Sequence, residues 1–416
     1  MATAHRKLGD FEKYSLKYTD YPTMINNLAR ILRYSSIKID SRDHEPISWI
    51  TEVLNVIGAA CYFYVYIFSA VWFVFVRFPQ TGDYIAASVE FSLAVCSGTS
   101  ILKFIYLKLD CKAVTNLIDE YLKCDARVDP NSRFAENLKK KLRIVKKRAI
   151  LTWSALALNG VVYITTPFLK PGRHLTEDLY VTYGLEPMFE TPNFEIATLL
   201  MTLAVIFGVL TLANYRLLIC VTIGYIEAQM LALSEDLIKL WDDSEKFYEE
   251  FSEKELDIIK TVSPYDIKNV YIKHRLREII KFHIVGITLQ HIVEAKFRFI
   301  YVIEFLFVMI GIVTELLGGL ENTYFELPYS LNQVFMDCLI GQRLIDASIV
   351  FENAVYSCQW ENYNAANQRT VLLILQNSQK TLMLSAGGLS ALSFVCLMSV
   401  IRCTYSAYTA LHSTVN

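Results

Sequence analysis

Residues 379–416 read QKTLMLSAGGLSALSFVCLMSVIRCTYSAYTALHSTVN. Apolar residues dominate from Leu382 to Leu411, and no charge but Arg402 interrupts them. That length suits a helix crossing a bilayer, which takes about 20 apolar residues. Ser385, Gly387, Gly388, Ser390, Ser393, Ser399, Thr404 and Ser406 are many small and polar side chains for a helix facing lipid. They suit a segment packed against other protein or facing water. The expectation is that this segment is a working part of the molecule rather than an anchor for a later domain.

Six further runs upstream are long enough to span. The set is residues 50–76, 84–107, 149–169, 194–219, 297–317, 329–351 and 382–411. The sixth is the most polar, because Asn332, Gln333, Asp337, Gln342, Arg343 and Asp346 interrupt it. It is kept because polar residues on a span usually face the bundle or a wet cavity. The fold expected is therefore all-α, a single polytopic membrane domain of seven helices.

Orientation follows the basic residues. The segments before span one, after span two, after span four and after span six carry thirty-two Lys and Arg, against three in the intervening ones. The amino end is expected in the cytosol and the carboxyl end outside. That is inverted relative to G-protein-coupled receptors, and the DRY and NPxxY sequences of that class are missing at the corresponding span ends. The first 46 residues hold no apolar core, so no cleavable leader is expected.

Between spans, residues 108–148, 220–296 and 352–380 carry helical apolar stripes: Phe134–Val145, then Ile226, Met230, Leu233, Leu237 and Leu240, then Ile267, Val270, Ile279 and Val285, and Val371–Leu375. Such faces seek apolar partners. They are expected to form a cytosolic helical anchor bundle, either as intrachain core or as contact with neighbouring subunits. A break is expected at Pro264. Outside, residues 170–193 carry Pro171, Pro187 and Pro192 with Glu177, Asp178, Glu186 and Glu190, and read as an ordered acidic lid rather than a helix.

Charge and composition exclude several functions. A net charge of −2 without a basic domain argues against a nucleic-acid partner. HExxH, GxxxxGK[ST] and GxSxG are missing, so catalysis, a cofactor and a metal are not expected. His283 and His291, eight apart, read as structural histidines. The nine cysteines lie mostly in or near apolar runs without a CxxC pair and read as small packing residues. Glu304 and Arg343 are intramembrane charges that either pair or reach separately to the interface.

The outer halves of spans two, three, four and six offer Ser88, Phe91 and Ser92; Val161, Ile164 and Thr165; Thr198, Met201, Thr202 and Val205; and Tyr329, Asn332 and Phe335. If they line a pocket rather than plain helix–helix core, its surface is apolar with scattered hydroxyls. It would take a small, mostly apolar, neutral molecule.

Ala354-Val355-Tyr356-Ser357-Cys358-Gln359-Trp360 resembles the A-x-Y-x-x-x-W stretch of insect odorant receptors. Gln379-Lys380, Ala386-Gly387 and Thr404-Tyr405-Ser406-x-Tyr408 resemble that family's final-span signature, and His283 is similar to a histidine common ahead of its fifth span. The resemblance implies a ligand-gated, non-selective cation channel in the sensory neuron's plasma membrane, at the dendrite. It implies a heterotetramer with the shared co-receptor (Orco), membrane lipid around it, and an odorant pocket in the outer spans. The roughly seventy residues between spans four and five are fewer than the co-receptor has, which implies a tuning subunit. By the same resemblance the last helix lines the pore, with Thr404, Tyr408, Leu411 and His412 as its stripe and Arg402 turned away. The alternatives are a gustatory-type homomeric channel and, in another class, a secondary transporter.

Overall fold

The computed structural model of the chain describes residues 19–43, 45–254, 263–324 and 326–415. The first eighteen residues of the basic amino-terminal segment, and residues 255–262 within the 220–296 extension, lie outside the described residues. Eleven helices organise the described part: α1 Tyr21–Arg33, α2 Trp49–Thr81, α3 Tyr84–Leu109, α4 Cys111–Asp125, α5 Arg133–Leu169, α6 Asn193–Ile238, α7 Leu240–Lys254, α8 Pro264–Leu317, α9 Glu326–Tyr356, α10 Ala365–Ser378 and α11 Phe394–Val415. Two-residue strands, β1 Ser385–Ala386 and β2 Ser390–Ala391, pair antiparallel between α10 and α11.

Capping sets many boundaries. Asp20, Asp83, Ser132 and Asn364 each accept a hydrogen bond from the first helical turn of α1, α3, α5 and α10. The break expected at Pro264 is the start of α8: proline occupies its first turn and Ser263 caps it. Helix α2 carries two widened, π-type stretches, Tyr64–Ser69 and Phe73–Arg77.

Six helices (α2, α3, α5, α6, α8 and α11) are long and apolar enough to cross a membrane. α9, with 31 residues, has the length but not the apolarity. Its Gln333 and Asp337 are buried inside the protein, where polar groups on a span belong. α5, α6 and α8 contain 37, 46 and 54 residues. At 1.5 Å per residue they reach about 55, 69 and 81 Å, well beyond a hydrocarbon core of about 30 Å. They therefore continue unbroken into the bundle expected from the sequence stripes.

Helix α6 is the axis of that bundle. Every residue from Thr211 to Met230 is buried, all round the helix, which is the mark of a central helix. Phe134, Leu138, Leu142 and Val145 of α5 pack onto it together with Ile226, Met230, Leu233 and Leu237. Val270 departs from its stripe and is exposed, and α10 is only half sunk: Val371 and Ile374 are buried, Leu372 and Leu373 are not.

The largest correction concerns residues 382–393. They were expected as the first third of a spanning helix and instead form the small hairpin. Gly387 (φ 63°) and Gly388 (φ 77°) hold the left-handed conformation that glycine alone adopts freely, and this makes the turn. The backbone N–H of Gly387 donates to the Arg298 carbonyl at 3.0 Å, and that of Ser385 to the Glu294 carboxylate at 2.9 Å. A Cβ on Gly341 would lie 2.2 Å from the Leu392 carbonyl oxygen, so α9 and the hairpin meet backbone to backbone. The last helix starts only at Phe394.

Asp125 lies beside Asp20 at the base of the bundle. Burial, reinforced by the Asp20 charge, raises its carboxyl to about 6. A raised acid binds its proton more tightly folded than unfolded, so the fold loses stability as pH climbs from about 4 to about 6 and stays lowered above that. Asp125→Asn should therefore unfold later than the native chain at pH 7.5, by about 1 kcal/mol after solvent screening, and show no gain at pH 4. Thermal unfolding in detergent at the two pH values checks this.

Candidate functional site

A cavity of about 620 Å³, its mouth included, opens among six long helices. α2 contributes Tyr62 and Tyr66, α3 Leu93, Cys96 and Ser97, and α5 Asn159, Gly160 and Tyr163. α6 contributes Val205, Gly208 and Val209, α8 Glu315, and α9 Glu326, Tyr329 and Ser330.

Its shape depends on two glycines. A Cβ on Gly208 would lie 2.4 Å from the Tyr62 ring, and one on Gly160 would lie 2.9 Å from Val209. Their missing side chains let α2, α5 and α6 approach while the rings project into the space. Tyr62 and Tyr66 meet edge-on at 5.2 Å, and Tyr62 donates to the Ser97 carbonyl at 3.1 Å.

The roof is the acidic loop of residues 170–192, which contains no helix. Leu175, Tyr180 and Met188 are buried against the top of the bundle with Val65 and Met201. The Tyr180 hydroxyl donates to the Val65 carbonyl, the Val181 N–H donates to Glu90 at 2.5 Å, and Arg77 pairs with Glu186 at 2.9 Å. Glu177 accepts from Tyr163 at 2.8 Å. Burial raises the Glu177 carboxyl to about 7.

Of the sequence-selected pocket residues, the structure brings Val205 and Tyr329 to the cavity wall. Ser92 stands directly behind it and donates to Glu326 at 3.0 Å. Met201 is buried in the roof contact, accepting from Thr176 at 3.4 Å. Phe91, Val161, Thr165 and Phe335 are exposed on the outside of the bundle and are corrected out of the pocket. Ser88 and Thr198 are half-buried and spend their hydroxyls on the carbonyls of Tyr84 and Phe194. Ile164, Thr202 and Asn332 are half-buried off the cavity wall.

The lining also corrects the expectation of an uncharged surface, because Glu315 and Glu326 belong to it. Ser330 donates to Glu315 at 2.6 Å. Glu315, near the outer end of span five, was open to the rule for intramembrane charges. Tyr62 and Tyr66 were hidden, since span one reads as a uniform apolar run.

Deeper in the bundle, four charges form one cluster. Glu304 of α8 accepts from Lys103 of α3 at 2.5 Å and from Arg216 of α6 at 2.7 Å, and Arg216 also pairs with Asp337 of α9. All four are buried, and the Lys103 ammonium sits 5.1 Å from the Tyr215 ring centroid. Glu304 and Arg343 therefore do not pair. Arg343 is partly exposed and lies 3.2 Å from Glu227, which also binds Arg148.

On α11 the proposed stripe divides. Thr404 is buried against the protein's own core and donates to the Val400 carbonyl. Tyr408 is half-buried, with its ring 5.4 Å from His412, while Leu411 and His412 are exposed. Arg402 is exposed on the face away from Thr404. Thr404 is therefore covered within the subunit, where Leu411 and His412 are not. His283 is buried with its ring 4.5 Å from Phe351, and among the described residues there is no cluster of metal ligands.

A family model described as 7tm Odorant receptor matches residues 84–405, most of the chain. The chain belongs to that odorant receptor family. It is 33% identical over 75 residues to the odorant receptor coreceptor of Aedes aegypti, a match covering 18% of this chain and 16% of the relative. It is 34% identical over 85 residues to odorant receptor 46a, isoform B, of Drosophila melanogaster, covering 20% and 22%. The matched stretches thus span only about a fifth of these relatives' lengths. The fold is similar to that of the olfactory receptor OR5 of Machilis hrabei in complex with eugenol, with TM-score 0.70, 14% identity, and coverage of 95% of this chain and 100% of the other. A second structure of the same receptor gives TM-score 0.73 at 13% identity, with coverage of 94% of this chain and 99% of the other.

Removing one partner from a buried ion cluster leaves an uncompensated charge, at a cost of about 3–5 kcal/mol. Arg216→Met, which strands Glu304 and Asp337, should lower the thermal midpoint of the detergent-purified receptor sharply. A shift within that of an exposed control such as Arg402→Met would show that the cluster does not hold the helices.

Proposed function

We propose that the chain is the tuning subunit of an odorant-gated, non-selective cation channel, acting in a heterotetramer with the odorant receptor co-receptor. The observation that carries this reading is the cavity. It lies among six long helices under an ordered roof, in a chain of the odorant receptor family whose fold follows an olfactory receptor solved with eugenol. The amino end lies in the cytosol and the carboxyl end outside, with seven crossings when α9 is counted. The subunit resides in the plasma membrane of the sensory dendrite.

Helix α9 links ligand to gate. Its outer end supplies Tyr329 and Ser330 to the cavity. Three turns further along, Gly341 and Gln342 seat the hairpin and the start of α11: the Phe394 N–H donates to Gln342 at 3.2 Å. A ligand that packs better when the outer ends of α2, α5, α6 and α9 are rearranged shifts the population toward that arrangement. The shift moves α9 and with it the base of α11, which opens the pore. Tyr408, Leu411 and His412 face the ion path near its exit, and Thr404 stays in the subunit core.

Expressed in oocytes with the co-receptor, the chain should give odorant-evoked cation current. Val205→Trp and Tyr329→Ala should shift the half-maximal concentration of an activating odorant at least about tenfold, the effect of one lost packing contact or hydrogen bond of about 1.4 kcal/mol. Phe91→Ala, Val161→Ala and Phe335→Ala should leave ligand ranking unchanged. The reverse pattern would place the ligand elsewhere, and equal current without the co-receptor would favour a homomeric channel.

A further inference from the structure

The cavity holds two carboxyl groups that the protein leaves half satisfied. Glu315 is fully buried, and one of its oxygens takes the Ser330 hydroxyl. Glu326 is 7% exposed, and one of its oxygens takes the Ser92 hydroxyl. The other oxygen of each, Oε2 of Glu315 and Oε1 of Glu326, is buried without a hydrogen-bond partner. Both side chains line the cavity, and Lys, Arg and His are missing from its lining.

The contrast with the deeper cluster is informative. There, Glu304 Oε2 and Asp337 Oδ2 are also buried without a hydrogen-bond partner, but the charge of each carboxylate is balanced by the chain's own Lys103 and Arg216. Burying a carboxyl with neither a full set of donors nor a cation costs several kcal/mol, so a pair that lacks both calls for an occupant. Around Glu315 and Glu326 stand the rings of Tyr62, Tyr66, Tyr163 and Tyr329. Aromatic faces attract an organic cation electrostatically and pack on its hydrocarbon part. Glu177, in the roof, adds a third carboxyl, which meets that of Glu326 within hydrogen-bond reach and acts on it through its field, and it brings no cation to the site. Lys170, exposed beyond it, exerts its field on Glu177 but forms no ion pair with it among the described residues.

Building on the reading of this cavity as the odorant site, we infer that its ligand class is small organic amines. The ammonium group lies between Glu315 Oε2 and Glu326 Oε1 and donates an N–H to each, and the apolar remainder rests on the tyrosine rings and Val205. An amine odorant thereby supplies both the donors and the positive charge that the site lacks. A neutral alcohol of the same shape supplies one donor and no charge, and a hydrocarbon supplies neither. Charge-assisted hydrogen bonds are about twice as strong as neutral ones, so the preference should follow that order.

The test uses 2-phenylethylamine, 2-phenylethanol and ethylbenzene on oocytes expressing the full chain with the co-receptor, at pH 7.5. Surface labelling measures the amount of receptor. The amine should activate at a concentration at least about tenfold below the alcohol, with ethylbenzene weakest. Glu315→Gln and Glu326→Gln keep side-chain size and an acceptor for the serines. Each should raise the half-maximal concentration for the amine at least about tenfold while changing that for the alcohol by less than about threefold. Currents to the neutral compounds alone, or an amine response that both variants leave intact, would overturn the amine assignment and leave the channel reading standing. Absence of current to every compound, with receptor at the surface, would count against the channel reading instead. In that case thermal unfolding of the purified chain decides the ligand class: 2-phenylethylamine should raise the midpoint of the native chain and not of either variant, and equal shifts in all three would overturn the inference.

Discussion

Arg216, at the centre of the bundle, is the point on which the remaining packing depends. Its guanidinium joins Glu304 and Asp337, and Glu304 in turn holds Lys103, so one contact ties α3, α6, α8 and α9 together. Charges at this depth are costly in a membrane setting, and the cost is offset only where each is paired and fixed in geometry. The planar guanidinium presents its donors in a fixed fork and so holds two carboxylates at once in a defined geometry. Below the cluster the fully buried stretch of α6 fixes the bundle; above it the same helices diverge around the cavity.

That division gives the molecule a firm lower half and an adjustable upper one. The upper half relies on small residues, aromatic edges and a roof held by single hydrogen bonds, such as Val181 to Glu90 and Tyr180 to Val65. α9 crosses both regions. It brings Tyr329 to the cavity, Asp337 to the cluster and Gly341 to the hairpin under the last helix. In the gating proposed above, a displacement at its outer end pivots about Asp337 and is carried to the seat of α11. The stacked rings of Phe335 and Phe394, 6.5 Å apart, lie along the same path.

Most of the architecture was legible in the sequence because long apolar runs and stripes such as Phe134–Val145 have one reading once a membrane is assumed. α5, α6 and α8 emerged as span and extension in one piece. Local chemistry that competes with hydropathy was less legible. Gly387 and Gly388 could be close-packing residues in a helix or the corner of a hairpin, and only their neighbours Arg298, Glu294 and Gly341 decide for the hairpin. The final-span motif located α11 but not its rotation, so Thr404 was assigned to a pore face while it packs inward.

The pocket was legible in location and poorly legible in content. Outer positions on spans two, three, four and six were chosen by depth, but depth does not say which side of a helix faces inward. Val205 and Tyr329 face the cavity, while Phe91, Val161 and Phe335 lie on the opposite sides of their helices. Tyr62, Tyr66 and Glu315 were missed because a uniformly apolar span and a carboxyl near a span end both have plainer explanations until the neighbours are known. The most direct test of the account is photolabelling of the assembled receptor with a diazirine analogue of an activating odorant, followed by peptide mapping. The account predicts labels around Tyr62–Tyr66, Asn159–Tyr163, Val205–Val209 and Glu326–Ser330, competed away by the parent odorant. Competed labels confined to the lower bundle or to α11 would contradict it.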